Sequence, residues 1–179
     1  MRRAAVIDTN VLLVANGCHA DVSAACQLEC VNRLLAQRQI GVTVIDDSFR
    51  ILSEYQNKTS PNQPKGVGDS FLKWLLQNQA NGALVHRVSI TETAPDMYAE
   101  FPDAALQPRF DASDRKFAAV ANAHHAKPPI WQAADSKWLD WWQALLAQGV
   151  KVEFLCPEDV RAAHRKKFPK RRAPVLPGD

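Results

Sequence analysis

Four acids are the residues of this chain best suited by type and spacing to act together: Asp8, Glu54, Asp114 and Asp135. Asp8 closes the apolar run Val6-Ile7 and is followed by Thr9 and Asn10. A buried strand that ends this way delivers a carboxylate to its C-terminal edge, where open α/β sheets keep their sites. Asp135 ends a second short run, Ile130-Trp131-Gln132-Ala133-Ala134. Asp114 falls in the first turn of a helix, where free backbone amides stabilise an ionised carboxylate. Glu54 lies on a helix among Phe49, Ile51, Leu52 and Tyr55. Carboxylates gathered at one edge repel one another, and a shared divalent cation relieves that repulsion. Each acid also has a plainer reading. Asp8 and Asp135 could be turn or cap acids, Glu54 a solvated helix residue, and Asp114 a cap, although Asp111 or Ser113 could already supply one.

The elements that must position these acids alternate between strand and helix. Strands are expected over residues 4–8, 42–45, 83–88, 130–134 and 150–155. A helix capped by Asp21 runs to about Gln39, with Ala24, Ala25, Leu28, Val31, Leu34 and Leu35 inward. Further helices follow Asp46, Asp47 or Ser48, cover Phe71 to Gln79, begin at Asp114, run from Lys137 to Gln148, and open at Pro157. Pro95, Pro102 and Pro108 make residues 90–113 irregular. The alternation predicts a three-layer α/β/α sandwich with a central parallel sheet.

The chain has 179 residues, 46% apolar and 23% charged, a composition ordinary for one globular domain. No apolar run is long enough to span a bilayer. The first apolar run meets Asp8 too early for a signal peptide, so a cytoplasmic location is the default. Residues 161–172 carry seven Lys/Arg and no acid. The tail is therefore strongly basic, in the manner of a nucleic-acid arm, while the remainder is net acidic. Cys18, Cys26, Cys30 and Cys156 are too few and too unevenly spaced for a disulfide scaffold. Free thiols are expected; a zinc site from Cys18, His19, Cys26 and Cys30 lacks the usual two-residue knuckle.

Taken together, Val6-Ile7-Asp8-Thr9-Asn10, Glu54, the Asp114 helix (Asp114-Arg115-Lys116-Phe117-Ala118-Ala119-Val120-Ala121-Asn122-Ala123) and Asp135 resemble the PIN domain family. The resemblance covers roughly residues 4–156. It implies a PIN-like sandwich, with residues 1–156 as a nuclease domain and 157–179 as a C-terminal helix and basic tail. It implies Asp8, Glu54, Asp114 and Asp135 as catalytic residues and as ligands of Mg²⁺ or Mn²⁺. Thr9, Asn10 and Ser136 would support them. Ser136 would stand in for a hydroxyl that many members carry where this chain has Ala133. The implied activity is metal-dependent endoribonuclease hydrolysis, by a metal-bound water attacking the phosphodiester in line.

Arg50, Lys58, Arg115, Lys116 and Lys137 are the cations expected to reach substrate phosphates. RNA, single-stranded or structured, is the expected partner, with single-stranded DNA, a homodimer and an antitoxin or other inhibitor protein left open; no membrane is expected. Three rival readings remain: the toxin of a toxin–antitoxin pair using the same nuclease chemistry, a non-catalytic RNA-binding or scaffold protein, and a phosphatase-like α/β hydrolase with Asp8 as nucleophile, for which Asn10 stands where a second aspartate is usual. Trp138, Trp141 and Trp142 have helical spacing and are read as a packed face.

Overall fold

A computed structural model describes residues 2–179. The chain begins with β1 (Arg3–Ile7), α1 (Thr9–Ala15), α2 (Ala24–Ile40) and β2 (Gly41–Asp46). It continues through α3 (Arg50–Lys58), α4 (Val67–Asn78) and β3 (Val85–Val88) to a small hairpin, β4 (Glu92–Ala94) and β5 (Met97–Tyr98). The second half contains α5 (Arg115–Ala123), β6 (Ile130–Gln132), α6 (Trp142–Ala147), β7 (Val152–Phe154) and α7 (Pro157–Lys167).

Five strands form one parallel sheet in the order β3-β2-β1-β6-β7. β1 and β2 are buried on both faces at their C-terminal ends, as a sheet covered on both sides requires. Helices α1, α2 and α4 pack against one another, while α5 packs on β1 and β2 and α6 on β7. The result is the three-layer α/β/α sandwich that the alternation predicts. α4 approaches α1 so closely that a Cβ on Gly68 would lie 2.2 Å from the Leu12 carbonyl oxygen. No helix among the described residues is long and apolar enough to cross a membrane.

The structure departs from the sequence reading in four places. Thr9–Ala15 is a helix, entered directly from β1 with Asp8 as its N-cap. Its seven residues are too few to show a clear period. Helix α2 is capped by Ser23, not Asp21, and buries Cys26, Cys30, Leu34 and Gln37. Leu28 and Leu35 are 59% and 40% exposed. The helix is turned by what it must bond: Cys26 and Cys156, expected as free thiols, form a disulfide, and the Gln37 amide donates to the Val42 carbonyl at 2.8 Å. Within residues 90–113, the hairpin is held by Gln107, whose side chain accepts from Tyr98 N and donates to Tyr98 O. The helix expected over 137–148 breaks at Trp141 into a 3-10 turn, Ser136–Asp140, and α6. Trp141 stacks on Phe110 at 4.1 Å between centroids, and Phe110 meets Trp138 edge-on. Trp138 and Trp142 are buried.

Candidate functional site

β1 lies between β2 and β6, so the chain runs outward from β1 in both directions. The crevice beyond the C-terminal ends at such a switch point is the usual ligand position in open α/β sheets. Asp8 leaves β1 into this crevice and Asp135 lies three residues beyond β6. Asn10 stitches the two strand ends together. Its side-chain oxygen accepts from Ala133 N at 3.0 Å and its amide donates to the Gln132 side chain. Asn10 N in turn donates to Asp8 Oδ1 at 2.9 Å.

The other acids come from elements packed around this edge. Glu54, on α3, accepts from the Thr9 hydroxyl on one oxygen and pairs with the Lys116 ammonium on the other. Lys116, itself 8% exposed, also donates to the Ser113 carbonyl. Asp114 ends a 3-10 turn, Ala112–Asp114, just ahead of α5 and is buried. Asp135 accepts from Lys137 N at 2.9 Å, capping the next turn, and the Lys137 ammonium lies 3.8 Å from its second oxygen. The same ammonium pairs more closely with Asp111.

Burial dominates the titration of the two inner acids. Asp8 is pushed well above the ordinary aspartate range by burial, then by the charge of Asp114, with the Asn10 amide opposing and Asp135 and Glu54 adding. Asp114 is pushed up to about 7 by burial and then by Asp111, with Lys137 opposing. One oxygen of each, Asp8 Oδ2 and Asp114 Oδ2, is buried with no hydrogen-bond partner among the described residues. Asp111 is held below the usual range, first by its hydrogen bond from Lys137. Asp46, at the end of β2, shows the contrast. It is fully buried, yet its two oxygens accept from Ile51 N, Arg50 N and the Ser48 hydroxyl, so it is a structural cap.

This arrangement overturns the metal reading. Among the described residues, the one group of three or more His, Cys, Asp or Glu side chains with ligand atoms all within 4.8 Å of one another is Cys26, Cys30 and Cys156. That group is buried, and two of its members form a disulfide. Asp8, Glu54, Asp114 and Asp135 do not make a four-carboxylate cluster for Mg²⁺ or Mn²⁺. The donor set does not fit such an ion: Glu54 spends both oxygens on Thr9 and Lys116, and the local cations are the chain's own lysines. The divalent-metal-dependent endoribonuclease, the hydrolase and endonuclease terms, the metal-binding site with magnesium or manganese cofactor, and the toxin using that chemistry are therefore corrected. The sequence order of the acids resembled a ligand set, but Lys116 pairs with Glu54, and Lys137 pairs with Asp111 and lies 3.8 Å from Asp135.

The remaining expected residues are dispersed. Arg50, Lys58 and Lys116 line one cavity of about 660 Å³ together with Glu54. Arg50 pairs there with Glu92. Arg115 turns away and donates to the Phe110, Pro108 and Asp96 carbonyls. Ser136 is nearly buried in the turn after Asp135, and Ala133 is fully buried. Sequence reasoning missed Gln132, which holds Asn10, and the pairing of Asp111 with Lys137, although it named Asp111 as a cap, which it is for the Ala112–Asp114 turn. Gln132 carried a signal, a polar residue at the end of an apolar strand. The Cys26–Cys156 bridge, spanning 130 residues, carried none.

Comparison of the chain with protein-family models, with curated proteins and with solved structures found no match in any of the three. The PIN assignment thus has no support from relatives, and the architecture that stands is a three-layer α/β sandwich with a parallel sheet.

Proposed function

We propose that this protein binds single-stranded RNA by its phosphates, through the basic C-terminal arm. The observation that carries the reading is the charge on that arm. Arg165, Lys167, Lys170, Arg171 and Arg172 are exposed and have no carboxylate partner among the described residues. Arg161 and Lys166 are paired, with Glu158 and Asp179 and with Asp21. Phe168 sits within this run, flanked by Lys167 and by Arg171, whose guanidinium stands 4.6 Å from the ring centroid. Cations that track phosphates, interleaved with an aromatic ring that can stack on a base, are the elements of sequence-tolerant single-strand binding. The likeness to PIN domains belongs to this proposal as a likeness of scaffold.

The test is a salt titration of RNA affinity for the chain with all five free cations replaced by Gln. Each lost phosphate contact flattens the slope of log affinity against log salt by about 0.7 on a single strand. A slope flatter by about 2–3 supports the reading. An unchanged slope overturns it.

A further inference from the structure

A cavity of about 930 Å³ lies away from the acids, along the β7 side of the sheet. It reaches from the starts of β1 and β6 round to Pro157 and the segment Leu176–Gly178. From its lining we infer a nucleotide site, taking an aromatic base together with its phosphate.

Three observations carry this. The first is size: the cavity falls within the roughly 300–1,000 Å³ typical of small-molecule sites. The second is the walls. Trp131, Trp142 and Phe154 line the cavity, with Pro128 and Pro129 beside them, so much of its wall is apolar. The third is the sign of the rim. Arg3, Lys127 and Lys151 are exposed and line the same space. Among the described residues none of the three has a carboxylate partner, although Lys127 donates to the Gln148 carbonyl at 2.9 Å. Glu153 is the one carboxylate in the lining, and it is already paired with Arg33 at 2.7 Å. The Arg33 guanidinium also stands 5.5 Å from the Trp131 ring centroid.

An aromatic cleft with unpaired cations at its mouth selects a ligand that is flat at one end and anionic at the other. A neutral aromatic would leave the cations unused, and inorganic phosphate would leave the walls wet. A nucleotide satisfies both. The wall formed by the C-terminal segment is latched, since the Trp142 indole donates to the Val175 carbonyl at 3.2 Å and Leu176 is buried. Trp142 lines the cavity, so its indole is a probe of occupancy.

The site goes beyond the arm and does not depend on it, because a free nucleotide and a nucleotide within an RNA strand present the same chemistry. The test follows the Trp131 and Trp142 indole resonances of ¹⁵N-labelled full-length protein, assigned with Trp131→Phe and Trp142→Phe. AMP, UMP, adenosine, inorganic phosphate and a short single-stranded RNA are titrated in turn. Saturable shifts of both indoles with a nucleotide, weakened about tenfold or more in Arg3→Glu/Lys151→Glu, are expected. Adenosine and phosphate alone should each bind at least tenfold more weakly. Loss of these shifts when RNA is already bound would identify the strand as the source, and their persistence would identify free nucleotide; both support the site. Indoles unmoved by either nucleotide or RNA at millimolar concentration, or shifts of equal affinity in the charge-reversed variant, would overturn it. The arm variant with five Gln should leave nucleotide binding intact, so failure of the arm and failure of the cavity are separable.

Discussion

The acid edge and the β7 side of the sheet treat charge in opposite ways. At the acid edge, Lys116 and Lys137 rise from the same segments as the acids and pair with Glu54 and Asp111, leaving Asp8 and Asp114 buried and pushed toward the neutral form. Beside β7, the cations Arg3, Lys127 and Lys151 face an aromatic cleft with no free acid, and the arm beyond adds five more. A region that neutralises its own charge has little to offer an ion. A region that leaves its charge unpaired over apolar surface gains by binding something complementary. The richer set of chemical side chains is thus at one place and the stronger demand for a ligand at another.

The largest expected effect separates the two regions mechanically. The Cys26–Cys156 bridge ties α2 to the start of α7, beside the cavity, and closes a loop of 130 residues. Its reduction, or Cys156→Ala, should lower the unfolding free energy by about 2–4 kcal/mol. Urea unfolding with and without a thiol reductant measures this. Hydrogen exchange should rise chiefly in β7 and α7. Equal acceleration in β1 and β2 would show that the two regions are one cooperative unit.

Next in size is the lysine lock. Lys116→Met leaves Glu54 with the Thr9 hydroxyl alone. The cost expected for stranding a largely buried, charged partner is about 1–3 kcal/mol, read from the urea midpoint. A neutral result would mean that Glu54 is compensated from elsewhere and that the acid edge is not self-balanced.

The pH dependence of Asp114 sharpens the same contrast. Its proton is held to about pH 7 in the folded chain, well above the value of an unfolded aspartate. Between about pH 4 and 7 the native state binds a proton that the unfolded state has lost, so stability falls as pH rises through that window. Above 7 both states are ionised and the penalty is constant. Asp114→Asn removes the penalty while keeping the side chain's size. The variant should match the wild type near pH 4 and exceed it in stability at pH 8, with a flatter profile between. A wild-type curve that is level from pH 4 to 7 would place the charge elsewhere.

Much of the architecture was legible because it rests on periodicity. Val42-Thr43-Val44-Ile45 and Ile130-Trp131 are short apolar runs, and the helices between them fall in the intervening segments although none of α3, α4 and α5 has a side-chain N-cap. Orientation was less legible. α2 faces inward through Cys26, Cys30 and Gln37 because of one covalent bond and one amide, neither visible in a hydrophobic pattern. The candidate site was the least legible. The sequence order of Asp8, Glu54, Asp114 and Asp135 does not say which of their oxygens are already spent. Pairing by Lys116 is a matter of angstroms across α3 and α5, and sequence spacing cannot rank a lysine against a metal ion. The aromatic cleft escaped notice for a related reason. Trp131, Trp142 and Phe154 come from three elements, and their shared cavity exists only after β6 and β7 pair.

The smallest expected effect tests whether RNA reaches the acid edge at all. Arg50 and Lys58 line the cavity next to Glu54, and Arg50 is engaged with Glu92 in a solvent-exposed pair. Exposed pairs contribute roughly 0–1 kcal/mol, so Arg50→Gln should change stability by no more than about 0.5 kcal/mol. If phosphates are held by the arm and bases by the β7 side, the double variant Arg50→Gln/Lys58→Gln should lose less than about threefold in RNA affinity. Its salt slope should flatten by less than 0.7, the value for one lost contact on a single strand. A tenfold loss with a clearly flatter slope would mean that the strand crosses the Glu54 cavity. The acid edge would then be part of the binding path, and its internal lysines would be positioned for phosphate as well as for Glu54.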